Sequence, residues 1–159
     1  TGGGSLRDIG VYTFGSARFV TGAEAVAIES RLVRENGIDT HALVFGRMEG
    51  QGRSFTYHSM TSMRLYNRQV VTFQGDRGMI RLEGGPFNAN VNDMAEVELH
   101  VQGNRVITDR FPAAPQYRLQ VEAFGRSVRD GVPYPCPLEF VRGTQAMMDM
   151  AYEGAVEIG

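Results

Sequence analysis

Glycine punctuates this sequence in a way that suits a strand-rich fold. The 20 glycines among 159 residues stand well above the usual ~7%, and most fall between patterned segments. Each supplies the backbone freedom of a tight turn, so many of them imply many short connections and hence many strands. Seven segments read as extended: 25–34, 40–47, 53–65, 69–74, 78–82, 95–101 and 106–111. In the third, Phe55, Tyr57 and Ser59 alternate with Ser54, Thr56, His58 and Met60. That alternation sets a partly aromatic face against a largely polar or small one. Glu49-Gly50-Gln51-Gly52 and Gly75-Asp76-Arg77-Gly78 are the clearest hairpin connections.

Helical spacing brackets this run. Leu6, Ile9, Thr13, Ala17 and Val20 form one stripe over 6–20, Ser5 and Asp8 fit an S/T-x-x-D/E start signal, and Gly22 fits a stop. Gly10 and Gly15 inside that helix cost about 1 kcal/mol each relative to alanine, so something is expected to pack close against it. A second helix starts at Pro115 or Gln116, stops at Gly131 and aligns Tyr117, Val121, Phe124 and Val128. A third, over 137–155, aligns Val141, Thr144, Met148, Ala151 and Ala155. The order helix, strands, helices predicts an α+β fold. It would have one mainly antiparallel or mixed β-sheet, with helices on one face and the other face available to a partner. Met60, Met63, Tyr57 and Phe55 are the residues expected to make that face attractive.

Bulk properties narrow the function classes. The chain is expected to be one domain over 1–159 with a real core. Its net charge of −2 offers no basic field for nucleic acid or an anionic membrane surface. No apolar run approaches the ~18 residues of a membrane helix. The lone Cys136, set between Pro135 and Pro137, excludes an internal disulfide, and His41, His58 and His100 match no metal-binding spacing.

The chemistry concentrates at the first twelve residues, where Gly2-Gly3-Gly4-Ser5 runs into the first helix. Asp8 and Tyr12 stand four residues apart and so share a face, projecting a carboxylate and a phenol together. That pairing suits proton transfer. On spacing alone Asp8 equally completes a capping box, and a tyrosine more often packs. Arg7 and Arg18 either contact a cofactor phosphate or substrate, or are solvated or ion-paired. Tyr117 either reaches substrate or lies in the core. The three glycines are no phosphate loop, because no strand precedes them and no G-x-G-x-x-G occurs.

Three ordered stretches carry a resemblance. They are Gly2 to Tyr12 with Ala17-Arg18-Phe19, then Val71-Thr72-Phe73-Gln74-Gly75-Asp76-Arg77-Gly78-Met79-Ile80-Arg81-Leu82, then Tyr117-Arg118-Leu119-Gln120-Val121-Glu122-Ala123-Phe124 with Pro137-Leu138-Glu139. Together they resemble the C-terminal domain of the glucose–fructose oxidoreductase / inositol dehydrogenase / MocA family. The likeness is nearest the glucose–fructose oxidoreductase and dihydrodiol dehydrogenase branch, where tyrosine replaces histidine. It implies an NAD- or NADP-dependent oxidoreductase acting on a sugar or related cyclic alcohol. Tyr12 is implied as the proton-transfer residue and Asp8 as the orienting carboxylate, with Arg7 and Tyr117 as weaker substrate contacts. It further implies that an N-terminal Rossmann domain, absent from this chain, binds the cofactor and supplies a lysine from a Glu-Lys-Pro motif. The isolated chain is then expected to be inactive and to associate with copies of itself through its sheet face. A phenol titrates near ~10 in water, so that lysine would make it a better base by favouring the phenolate. Two alternatives stay open: a non-catalytic dimerisation or ligand-binding module, and a trans-dihydrodiol dehydrogenase.

Overall fold

A computed structural model describes residues 3–87 and 94–158. The backbone divides into two units, Thr1–Leu65 with Cys136–Gly159, and Tyr66–Pro135.

In the first unit a π-helical turn, Leu6–Gly10, runs directly into helix α1, Val11–Thr21, which stops on the left-handed Gly22. Strands β1 (Glu24–Glu35), β2 (Ile38–Gly50) and β3 (Arg53–Ser62) form an antiparallel meander. Its two turns put Asn36-Gly37 and Gln51-Gly52 at positive φ, as two-residue hairpins require. Helix α3 (Leu138–Glu153) returns along the sheet, and the short strand β8 (Ala155–Glu157) pairs parallel to β1. The sheet order is β3-β2-β1-β8. The expected third helix thus ends two residues early and gives way to a strand too short to carry a period of its own.

The core lies between this sheet and the two helices. Leu6, Phe14, Leu32, Val44, Met48 and Met147 are its large fully buried members. Each large apolar side chain so placed contributes about 1.5–3 kcal/mol, which outweighs the ~1 kcal/mol helix cost of a glycine. Tyr57 and Phe55 face this core and not the open face, where Phe45 and Met60 stand exposed instead. Arg18 is buried too. Its guanidinium donates to both oxygens of Glu24 (2.8 and 2.6 Å), to Thr144 Oγ1 (2.8 Å) and to the Phe140 carbonyl. It also stacks on the Phe140 ring at 4.5 Å. The ion-paired reading of Arg18 holds, and the residue fastens α1 to α3.

The second unit holds an antiparallel sheet of order β4-β5-β6-β7 (Val71–Gln74, Gly78–Leu82, Ala95–Val101, Arg105–Phe111) and helix α2, Gln116–Asp130. The Gly75 to Gly78 hairpin forms as expected, closed by the Gly75 amide on the Gly78 carbonyl at 2.9 Å. The stripe expected to bury α2 does not. Tyr117, Val121, Phe124 and Val128 are all exposed, and Ala123 is its buried residue. Periodicity records which residues share a face, but it does not record what covers them. The chain is α+β, and the single sheet expected from the sequence is instead two four-stranded sheets.

Candidate active site

The helix that carries Asp8 and Tyr12 starts differently from its sequence signal. Ser5 makes no side-chain cap; it is buried and its hydroxyl donates to Thr61 Oγ1 at 2.8 Å. Ser5 already has helical backbone, with φ −61° and ψ −40°. The amide of Leu6 is capped from far away in sequence, by Asp39 Oδ2 at 2.8 Å. The capping-box reading of Ser5 and Asp8 is therefore corrected, and Asp8 stands exposed on the helix surface.

Gly4 makes this arrangement possible. Its φ is +91°, and a Cβ there would lie 2.1 Å from Asp39 Oδ1. Any other residue would be strained and would displace the carboxylate. The other oxygen pairing of Asp39 is with Tyr152, whose hydroxyl donates to Oδ1 at 2.9 Å. Burial, then the Asp39 hydrogen bond and charge, push the Tyr152 phenol up to about 12, against the opposing pull of Arg7 and Arg34. Arg7 sits over the Tyr152 ring at 5.3 Å. The structure thus gives Arg7 an aromatic partner within its own unit.

The π turn displaces the register of the helix beyond it. It closes i→i+5 and so holds more residues than the 3.6 of an α-turn. Within and past the turn the buried positions shift by one: Gly10 and Phe14 are buried in place of the expected Ile9 and Thr13, Leu6 and Ala17 are buried as expected, Arg18 joins Ala17, and Val20 is 52% exposed. Thr13 is released from the core stripe to donate to the Gly10 carbonyl (2.9 Å) and to accept from the Tyr57 hydroxyl (2.8 Å). Burial holds the Tyr57 phenol up to about 12, with the nearby Ser59 hydroxyl and the hydrogen bond to Thr13 acting the other way. Turns of this kind occur frequently at functional sites.

Tyr12 is 54% exposed and Asp8 is exposed with it, on a helix whose opposite side is locked into the core. Gly15, three residues on, has open space where a Cβ would be, while Gly10 meets Leu6 at 3.2 Å. The neighbours at Gly10 are side chains of the same helix, Leu6 and Phe14, so the close approach of another element expected of both glycines is seen at neither. Tyr117 is 70% exposed and belongs to the other unit, which overturns its core reading.

Sequence reasoning missed Asp39 and Tyr152. Asp39 follows an Asn-Gly turn, and alternation from Ala42 and Val44 would aim it outward. A register shift, with Val33 opposite His41 but Arg34 opposite Asp39, inserts Thr40 as an extra residue and turns Asp39 inward. A bulge leaves no mark in composition or period, so no signal pointed to it. The space beside Gly4 is filled by a carboxylate, which would repel a pyrophosphate. The glycine turn does not fit a dinucleotide.

Comparison with known proteins agrees with this architecture. Residues 1–81 match the family model for the GFO/IDH/MocA C-terminal domain. An uncharacterised oxidoreductase of Rhizobium meliloti is 35% identical over 161 residues, covering 97% of this chain and 47% of the relative. The D-xylose 1-dehydrogenase (NADP(+)) 2 of Haloferax volcanii is 29% identical over 155 residues, 96% of this chain and 46% of the relative. Among solved structures, a mutant of the 3-ketoreductase KijD10 from Actinomadura kijaniata, in complex with TDP-benzene and NADP, superposes with a TM-score of 0.83 at 23% identity. That superposition covers 99% of this chain and 49% of that one. The UDP-N-acetylglucosamine 3-dehydrogenase GnnA of Acidithiobacillus ferrooxidans reaches 0.79 at 10% identity, covering 95% and 47%. These structural likenesses concern the fold. The chain spans about half the length of the curated relatives it matches. On the family match over its first 81 residues, it belongs to the GFO/IDH/MocA C-terminal domain family.

Proposed function

We propose that this chain is the substrate-handling and oligomerising half of an NAD(P)-dependent oxidoreductase acting on a sugar or related cyclic alcohol. The observation that carries the reading is the shared exposure of Asp8 and Tyr12 on a helix otherwise fixed on its far side. Relatives named as an NADP-dependent xylose dehydrogenase and as a dideoxyglucose 3-reductase support the reaction class. A nicotinamide, held by the part of the relatives that this chain does not span, would exchange the hydride.

The work of this chain is with protons and hydroxyls. Tyr12 takes the proton from the reacting hydroxyl, or returns it in reduction, from within about 2.6–3.2 Å. Asp8 accepts hydrogen bonds from neighbouring substrate hydroxyls, which a carboxylate does with two oxygens. Arg7 and Tyr117 are weaker candidates for substrate contact. Arg7 would have to leave the Tyr152 ring to make one. A binding module with no chemistry would have no use for a paired phenol and carboxylate held at one helix end.

Sequencing the parent transcript upstream of Thr1 tests the reading. A strand-G-x-G-x-x-G-helix followed by Glu-Lys-Pro is expected; an unrelated domain there would contradict it. The full protein should then oxidise or reduce members of a sugar panel with NAD or NADP. A second copy is proposed to cover the open face of the β3-β2-β1-β8 sheet, where Val26, Phe45 and Met60 are exposed. Sedimentation should give a dimer or tetramer, and a strictly monomeric mass at high concentration would count against that face.

A further inference from the structure

Ser5 stands where a local cap for the helix could be made, yet the chain uses it elsewhere. It bonds to Thr61, and the Leu6 amide is served by a residue 33 positions away. Three features of the first unit converge on that residue. Gly4, at φ +91°, brings the backbone against the Asp39 carboxylate; Leu6 donates to Oδ2; Tyr152 donates to Oδ1 from helix α3. Asp39 itself is only 2% exposed, so it does not meet substrate. A local cap would satisfy the amide equally well. A cap anchored to both β2 and α3 adds a fixed position for the helix start.

That position matters because of the π turn next to it. In a regular α-helix four steps overshoot a full turn by about 40°. A π turn advances less per residue, so placing part of the Asp8 to Tyr12 interval within Leu6–Gly10 brings the two side chains closer to one line. A π turn holds one residue more than its α counterpart and is free to relax unless something pins its start. We propose that Asp39 is a positioning residue for the Tyr12 reaction: wedged between Gly4, the Leu6 amide and the Tyr152 hydroxyl, it pins the π turn that aligns Asp8 with Tyr12. The inference rests on the assignment of Tyr12 and Asp8 as the proton-transfer and orienting groups, and adds two residues, Asp39 and Tyr152, that act through the helix start.

The test uses the full-length enzyme and four variants: Asp39→Ala, Asp39→Asn, Tyr152→Phe and Tyr12→Phe. Turnover is measured per folded molecule, together with amide exchange over residues 6–10. Asp39→Ala should lower kcat by ~10–10²-fold, the scale of a small misplacement remote from the chemistry. Cofactor KM should stay unchanged and the Leu6 amide should exchange faster. Asp39→Asn should restore most of kcat, because its carbonyl accepts from Leu6 while its amide donates to the Tyr152 hydroxyl. A purely structural Asp39 would alter the folded fraction and leave kcat per folded molecule at the wild-type value; with Tyr12→Phe inactive, that result overturns the proposal alone. Equal losses in Asp39→Asn and Asp39→Ala would overturn it as well. If Asp39→Ala does not fold, Tyr152→Phe decides: a lowered kcat with faster exchange at Leu6 supports the clamp, and unchanged values refute it. Normal turnover in Tyr12→Phe removes the site assignment first, and the positioning role with it.

Discussion

Two of the six tyrosines, Tyr57 and Tyr152, are held in the neutral form well beyond the ordinary range of a phenol, both up to about 12. Burial is the main cause at each, and at Tyr152 the Asp39 carboxylate adds to it. A phenol whose ionisation is raised by folding contributes stability that is whole below its unfolded value of ~10. That contribution is lost as pH climbs through about 12. Melting temperature should therefore fall between those two values, and replacing either tyrosine by phenylalanine should shrink that fall. A melting temperature that stays level between pH 10 and 12 would contradict the raised values. Gly4 and Gly15 make a second contrast between residues. Gly4→Ala meets both a positive φ and the Asp39 carboxylate, and should destabilise by at least about 1–3 kcal/mol. Gly15→Ala enters open space and should stabilise by up to about 1 kcal/mol. Chemical denaturation of both variants reads the sign directly.

At the scale of elements, the sequence was legible wherever a single turn residue or a local period decides the outcome. Gly22 and Gly131 end helices in left-handed conformations as expected, and the Gly50 to Gly52 and Gly75 to Gly78 connections form hairpins. The alternation of β3 is real, with Tyr57 and Thr61 buried and His58 and Met60 exposed. What escaped are features in which one residue is added to a regular pattern. The π turn moved the buried stripe of the first helix from Ile9 and Thr13 to Gly10 and Phe14, while Leu6 and Ala17 stayed buried as expected and Val20 became exposed. The bulge at Thr40 turned Asp39 inward. Both changes follow from tertiary packing choosing between nearly equal local geometries, so neither is written in propensity. The same holds for the site. Asp8 and Tyr12 are proposed from their spacing and the family resemblance, whereas the contacts of Asp39 with the Leu6 amide and the Tyr152 hydroxyl are assembled from three separate elements.

For the whole molecule, we propose that this chain presents substrate-facing groups and that the dinucleotide is held by another part of a longer protein. The near-neutral charge fits a small-molecule substrate better than a polyanionic partner. The open sheet face supplies apolar area for a second copy. What unites these statements is the role of Tyr12, since without a proton carrier at that helix the exposed pair has no reaction to serve. The measurement that decides it is turnover of full-length Tyr12→Phe, made beside wild type on the same sugar and cofactor. The account predicts a folded protein that binds cofactor normally and turns over ~10²–10⁴-fold more slowly, the loss typical of a missing acid/base group. Near-normal turnover in that variant would contradict it.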